Sequence, residues 1–136
     1  MTDQNTYQSL YPFIKSREVV WKEIVRHICK DLGHLGTVIE LGAGFCDFIN
    51  QYPADNKIAY DLNPDMVSFA SEDVDFRAAD AARIKEHAPG SCDMVFASNF
   101  LEHLKETELE TLLPLIFQVL KPGGKLVLIQ PNYRLC

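Results

Sequence analysis

The 136-residue sequence has no long apolar run, no leader-like N-terminus and no dense cluster of basic residues. Its longest apolar stretches, such as 94–97 and 126–129, fall far short of the roughly 20 residues that a membrane-spanning helix needs. The residues after Met1 are polar and show no basic segment followed by an apolar one, so we expect no signal peptide and a cytoplasmic location. The net charge of −6, with Lys and Arg spread along the chain, argues against nucleic acid as a partner.

Paired metal-ligand spacing is also missing from the sequence. The cysteines form no CxxC pair and stand far apart, at Cys29, Cys46, Cys92 and Cys136. The histidines are equally scattered. In a cytosolic chain this pattern is typical of reduced thiols in or near the core, and we predict neither a disulfide framework nor a bound metal.

The sequence does contain an alternation of short apolar runs and helix-like segments. The apolar runs predict strands at 37–41, 57–61, 74–77, 92–98 and 125–130. Helical segments separate these strands, and a further helix that begins at Ser16 precedes the first one. Apolar strands that alternate with helices predict an α/β domain, with a parallel sheet covered on both faces. The length fits a single domain, with residues 1–35 as a helical cover and 36–136 as the core.

Two local signals predict how the last helix and the last strand begin. Thr107, with Glu110 three residues later, has the spacing of a capping box and predicts the start of the last helix. Pro122-Gly123-Gly124 predicts the turn into the fifth strand. In such sheets ligands bind at the C-terminal ends of the strands, so the residues that follow each strand are the candidate site residues.

The first candidate is the glycine turn in the segment 38–47, VIELGAGFCD. Gly42 and Gly44 allow a tight turn and a close approach to a ligand, and the following helix offers free N–H groups. A tight turn without a ligand is the alternative. The third glycine of a dinucleotide site is replaced by Asp47, whose carboxylate would repel a pyrophosphate and fill its space. The turn therefore favours a ligand without phosphate.

Two aspartates follow the next two strands. Asp61 stands 19 positions after Gly42, where a carboxylate can accept both hydroxyls of a ribose. Its alternative role is to cap the next helix, although Asn63 could do so instead. Asp80 follows the third strand and is placed to meet the amine of an adenine, but by itself it is better explained as the cap of the helix that begins at Ala81.

Taken together these segments resemble class I S-adenosylmethionine-dependent methyltransferases over about residues 36–132. The resemblance rests on five ordered motifs, which are ELGAG at 40–44, Asp61, Ala79-Asp80, the segment 92–103 and LKPGGKL at 120–126. It implies a Rossmann-like, doubly wound sheet in the order 3-2-1-4-5 that lacks the last two strands of the family's seven. The chain would then be a C-terminally truncated or a naturally short form.

The resemblance also implies S-adenosyl-L-methionine as the methyl donor and S-adenosyl-L-homocysteine as the product. The methionine end would lie at Glu40 and the loop Gly42-Ala43-Gly44, and the ribose at Asp61. The implied adenine contacts are Leu62, Asp80 and Ala81, and Ser98-Asn99 would lie beside the sulfonium. The sequence departs from the family's glycine loop at Cys46, where a third glycine is common.

The leading hypothesis is methyl transfer to a small molecule or biosynthetic intermediate by in-line displacement. His103 is the one candidate general base, with an exposed histidine of no chemical role as its alternative. Tyr7, Tyr11 and Arg17 could form a lid. The second hypothesis is a donor-binding module without turnover, and the third, a nucleotide-dependent oxidoreductase, is opposed by Asp47. We also predict a homodimer through the exposed edge of the fifth strand.

Overall fold

The computed structural model describes residues 4–130, with side chains from residue 15 onward. Its centre is a parallel sheet of five strands in the order β3-β2-β1-β4-β5. The strands are β1 (Leu35–Leu41), β2 (Ala54–Asp61), β3 (Val74–Ala78), β4 (Cys92–Ser98) and β5 (Leu120–Ile129). The α-helices are α1 (Gln4–Leu32), α2 (Asp47–Gln51) and α3 (Glu106–Val119), and 3-10 helices span Pro64–Phe69, Ala81–Glu86 and Leu101–His103. The predicted fold class and strand order are confirmed.

Successive side chains of each strand point to opposite faces of the sheet and pack into two separate hydrophobic cores, one on each face. In β1, Ile39 and Leu41 pack towards α3 and the 3-10 helix at 81–86, whereas Val38 packs towards α1 and α2. The second core is rich in aromatic rings: Phe48 of α2 stacks on Phe96 of β4 at 3.6 Å between centroids, and Trp21 of α1 meets the same ring edge-on at 6.1 Å. The central strands are therefore buried on both faces, which explains their continuous apolar character.

The first helix begins earlier than the sequence predicted. It is continuous from Gln4, so the prediction that Ser16 caps it is wrong. A capping residue favours a helix start but does not impose one when the preceding residues can also adopt helical conformation. The side chains of Tyr7 and Tyr11 lie outside the described residues, whereas Arg17 is described and contacts the core domain.

The last helix also begins earlier, so the predicted capping box at Thr107 and Glu110 is wrong. The backbone N–H of Lys105 donates to Glu108 Oε1 at 3.2 Å, which makes Glu108 the capping carboxylate. This spacing places the first helical residue at Glu106. The helix then continues to Val119 through Pro114, and its apolar face covers the sheet.

The fifth strand contains the segment that was predicted as a turn. β5 begins at Leu120 and therefore includes residues 122–124. The pairing of β5 with β4 is irregular there, because its register shifts between Cys92 and Met94. A Cβ at Gly124 would lie 2.9 Å from the carbonyl oxygen of Lys121, so the backbones pass too close there for a side chain. β5 stands at the edge of the sheet with Leu128 40% exposed. No helix among residues 4–130 has the length and apolar character to cross a membrane.

Candidate functional site

A cavity of about 630 Å³ opens at the C-terminal edge of the sheet, where the strand order reverses between β1 and β4. This is the edge at which open α/β sheets bind ligands, and the volume lies within the roughly 300–1,000 Å³ of small-molecule sites. Residues from five loops and helices line it: Gly42, Tyr60, Asp61, Leu62, Ala79, Asp80, Ala81, Ala82, Phe100, Leu104, Thr107, Glu108, Thr111 and Leu112. Five of the predicted site residues are among them.

The two glycines of the loop after β1 serve different purposes. Both have left-handed backbone conformations, with φ of +65° at Gly42 and +52° at Gly44. A Cβ at Gly42 would lie 2.5 Å from Cδ2 of Phe100, whereas a Cβ at Gly44 would meet nothing within 4 Å. Gly42 therefore accommodates the Phe100 ring, and Gly44 is the position where the loop faces open space.

Asp61 is fixed in place by two backbone donors. Its Oδ2 accepts the N–H of Gly44 at 2.8 Å, and its Oδ1 accepts the N–H of Asn63 at 2.9 Å. Each carboxylate oxygen can accept a further hydrogen bond, so the group can still bind hydroxyls in the cavity. The side chain of Asn63 caps the 3-10 helix by accepting the N–H of Asp65, which leaves Asp61 free of the capping role considered above.

The residues that were predicted to contact adenine line one wall of the cavity. Asp80 Oδ1 accepts the N–H of Ala82 at 2.7 Å, so this aspartate is an N-cap while it also lines the cavity beside Ala81. Leu62 is 73% exposed, which presents an apolar surface at the cavity mouth. A planar apolar ring could therefore lie between Leu62 and the turn at 79–82.

Glu40 is buried behind the loop, at 3% exposure, and does not line the cavity. Its Oε1 accepts the N–H of Ile49 at 3.2 Å, which ties the end of β1 to α2. Burial raises the pKa of its carboxyl well above the usual value, and the nearby charges of Asp47 and Asp61 add to this effect. The raised pKa of Glu40 favours its uncharged form, so this carboxyl connects the end of β1 to α2 without adding charge to the site.

Asp47, which replaces the third glycine of a dinucleotide-binding fingerprint, forms an ion pair with Arg17. Arg17 of α1 donates to Asp47 Oδ2 from Nε at 2.9 Å and from Nη2 at 2.7 Å, and the Asp47 side chain is only 8% exposed. The guanidinium also lies 5.2 Å from the centroid of the Phe45 ring. Asp47 stands at the third-glycine position of a dinucleotide-binding fingerprint, and the expectation that it excludes a pyrophosphate stays a prediction.

Cys46 adopts the left-handed conformation at φ 60°, a conformation that favours glycine. The residue is fully buried. Burial raises the pKa of its thiol to about 12, and the Glu40 charge contributes further. The thiol is therefore protonated at neutral pH and is a poor nucleophile.

The segment after β4 brings two unpredicted residues to the cavity, Phe100 and Leu104, and three predicted residues lie outside its lining. Phe100 lines the cavity, whereas Ser98 and Asn99 lie beside it, with Asn99 at φ 51° and its N–H bonded to Ile129 O at 2.9 Å. The His103 side chain is 75% exposed, with Nε2 3.8 Å from a Glu102 oxygen. Ala43 and Gly44 also lie outside the lining, and the functional roles of all these residues remain predictions.

Sequence reasoning missed Phe100 and the wall contributed by α3. Phe100 lies directly after β4, where its position at the sheet edge was a usable signal. Leu104, Thr107, Glu108, Thr111 and Leu112 reach the cavity only because α3 packs across the sheet, and no local pattern indicates this.

Comparison with known sequences places this chain within a known family. The protein family described as "Methyltransferase domain" matches residues 39–128. Uncharacterised methyltransferases of Bacillus mycoides and Bacillus cytotoxicus are each 25% identical over 90% of this chain. The chain spans 61% of the length of these relatives.

Solved structures share the fold. A SAM-dependent methyltransferase of Archaeoglobus fulgidus superposes with a TM-score of 0.73 at 27% identity, over 96% of this chain and 59% of that one. The phosphoethanolamine N-methyltransferase 1 of Haemonchus contortus, solved with phosphoethanolamine and S-adenosylhomocysteine, has a TM-score of 0.69 at 19% identity, over 83% of this chain and 26% of that one. At that lower identity the likeness is one of fold.

Proposed function

Because the chain belongs to the methyltransferase domain family, which matches residues 39–128, we propose that it binds S-adenosyl-L-methionine in the cavity and transfers its methyl group to an acceptor. One observation carries the proposal: the Asp61 carboxylate lines the cavity while it is hydrogen-bonded to the glycine loop. This arrangement presents acceptors for a ribose next to a loop that can take the amino-acid end of the donor.

The proposed placement follows the cavity wall from one end to the other. The adenine lies between Leu62 and the turn formed by Asp80 and Ala81, and the ribose hydroxyls donate to Asp61. The methionine end lies along the loop Gly42-Ala43-Gly44. Glu40 lies buried behind this loop and supports it. Ser98 and Asn99 lie beside the sulfonium in this placement.

The donor supplies an activated methyl group, and the protein supplies position. Alignment of nucleophile, carbon and sulfur can lower the barrier by roughly 7–11 kcal/mol without covalent catalysis. The protonated, buried thiol of Cys46 is consistent with such a mechanism, because no enzyme nucleophile is used. The carboxylate of Asp61, which is fixed by two backbone hydrogen bonds, contributes by holding the ribose and therefore the methyl group in one position.

For the acceptor we propose a small molecule or a biosynthetic intermediate. The chain carries a net charge of −6, which disfavours a polyanionic acceptor. His103 is proposed as a base for acceptors that must lose a proton, because its exposed ring belongs to the segment after β4 that also carries the cavity residue Phe100. An acceptor that is already an unprotonated amine would not require it.

Calorimetric titration with S-adenosyl-L-methionine and S-adenosyl-L-homocysteine tests the donor site. Asp61→Asn keeps the shape of the side chain but removes its charge and one acceptor, so we expect donor affinity to fall at least ten-fold, or about 1.4 kcal/mol. The matched control is Asp93→Asn. Asp93 also accepts a backbone N–H, that of Thr37 at 2.9 Å, but it lies at the opposite edge of the sheet.

The outcomes separate the hypotheses. Loss of binding in Asp61→Asn but not in Asp93→Asn would support the donor site. Equal, small effects of both variants, or no binding of either ligand to the folded wild-type protein, would contradict it. Donor binding with no methyl transfer to any tested hydroxyl, thiol or amine would favour the alternative of a binding module without turnover.

A further inference from the structure

The Phe100 ring rests on Gly42 and lines the cavity together with Asp61, the proposed ribose ligand. We propose that this ring recognises the positive charge of the donor's sulfonium, so that the site binds the methylated donor in preference to the uncharged product. The inference rests on the donor site proposed above and names the residue that sets its charge preference.

The position of the ring is defined by its contact with Gly42. A Cβ at Gly42 would lie 2.5 Å from Cδ2 and 2.9 Å from Cγ of Phe100, so the ring rests directly on the first glycine of the loop. Phe100 and Asp61 line the same cavity. The ring is held there by the segment after β4, in which the N–H of His103 bonds to the carbonyl oxygen of Phe100 at 3.1 Å.

The covalent structure of the donor determines where its charge must lie. The sulfur joins the ribose to the amino-acid arm, so it lies between the groups that bind those two parts. In this site the two groups are close, because Asp61 Oδ2 lies 2.8 Å from the nitrogen of Gly44. The sulfonium therefore lies next to Asp61 and the loop, in the part of the cavity that Phe100 also lines.

Tyr60 is the other aromatic residue of the cavity lining, and its ring is already engaged. It is 1% exposed, and the guanidinium of Arg77 lies 5.7 Å from its centroid. Its hydroxyl is bonded to His87 Nε2 at 2.8 Å and accepts from Arg77 at 3.1 Å. Phe100 is thus the aromatic wall available to a cationic ligand among the described residues of this cavity.

The interaction discriminates by charge and not by shape. The face of an aromatic ring carries a partial negative potential that attracts a nearby cation, and the attraction grows when water is excluded. The sulfonium donor carries this charge and the thioether product does not, although the two differ by only one methyl group.

Titration of Phe100→Leu with donor and product tests the proposal. Leucine keeps an apolar side chain against Gly42 but has no π face. We expect the Kd for S-adenosyl-L-methionine to rise about three- to ten-fold. The Kd for S-adenosyl-L-homocysteine should change less than about two-fold on the same basis. The matched control, Leu62→Ala, removes apolar contact at the adenine side and should weaken both ligands equally.

A second measurement does not depend on the fold tolerating leucine. Pentafluorophenylalanine at position 100 keeps the shape of the ring and reverses the charge distribution over its face, so it should weaken the donor selectively as well. Equal weakening of donor and product, or no change in either, would overturn the role of Phe100 while the donor site stands. Failure of the wild-type protein to bind either ligand would instead overturn the proposed function itself.

Discussion

The contact between Gly42 and Phe100 makes a quantitative prediction about the stability of the site. Gly42 and Gly44 both adopt left-handed backbone conformations, at φ +65° and +52°. Only Gly42 faces a side chain, since its Cβ would lie 2.5 Å from the Phe100 ring, whereas Gly44 meets nothing within 4 Å. Replacing each glycine by alanine therefore separates the cost of backbone conformation from the cost of steric overlap.

The expected magnitudes differ clearly. The left-handed conformation costs an L-residue roughly 1–2 kcal/mol, and this cost applies to both Gly42→Ala and Gly44→Ala. An overpacked methyl group adds about 1–3 kcal/mol when its neighbour is not free to move, and this cost applies to Gly42→Ala alone. We therefore expect Gly42→Ala to lower the free energy of unfolding by about 1–3 kcal/mol more than Gly44→Ala does.

Urea unfolding followed by the fluorescence of Trp21, the sole tryptophan, measures this difference. Trp21 packs edge-on against Phe96 in the core, so its emission reports unfolding of the domain. In the double variant with Phe100→Ala, the ring is absent and Gly42→Ala should cost no more than Gly44→Ala. Equal destabilisation by the two single variants, or no coupling between Gly42 and Phe100, would refute the packing explanation.

Three further predictions concern other parts of the chain. Arg17→Ala leaves the Asp47 carboxylate, 8% exposed, without its guanidinium and should destabilise the fold by about 1–3 kcal/mol in urea unfolding. Burial and the charge of Arg77 lower the pKa of His87. The free energy of unfolding of the wild type should therefore decrease as pH falls from 7 through about 6.5. In His87→Gln the free energy of unfolding should depend less on pH over this range. The predicted homodimer through β5 should dissociate in sedimentation experiments when the exposed Leu128 is replaced by lysine.

Each of these predictions has a control. Arg26→Ala removes an exposed pair with Glu23, in which both side chains are more than 60% exposed, and should change stability little. The sign for His87 follows from its lowered folded-state pKa, because the unfolded chain then binds the proton more readily; a pH dependence identical in His87→Gln and wild type would contradict it. A wild-type protein that sediments as a monomer at high concentration would contradict the dimer.

Much of the fold followed from local pattern. The apolar runs located all five strands because a strand buried on both faces must be apolar throughout, and β4 has the bounds that the sequence predicted. Asp61 and Asp80 were identified because parallel strands end at one edge, where side chains from distant segments meet. Asn63, which was considered as an alternative cap, indeed caps the following 3-10 helix.

Other features depend on tertiary contacts that no local pattern encodes. The cavity wall formed by Thr111 and Leu112 exists because α3 crosses the sheet, and the packing of Phe100 on Gly42 joins segments that are far apart in the chain. Capping signals proved the weakest guide. Glu108, and not Glu110, caps α3, since several carboxylates near a helix start satisfy the same spacing rule.

The burial of the Cys46 thiol determines how the site responds to oxidants. Sulfur must be both accessible and ionised to react with peroxide, and Cys46 is neither, being fully buried with a thiol pKa of about 12. Cys92 is protected in the same way, with a pKa of about 11. The cysteine in this loop therefore gives it no redox sensitivity, and we expect peroxide to leave donor binding unchanged.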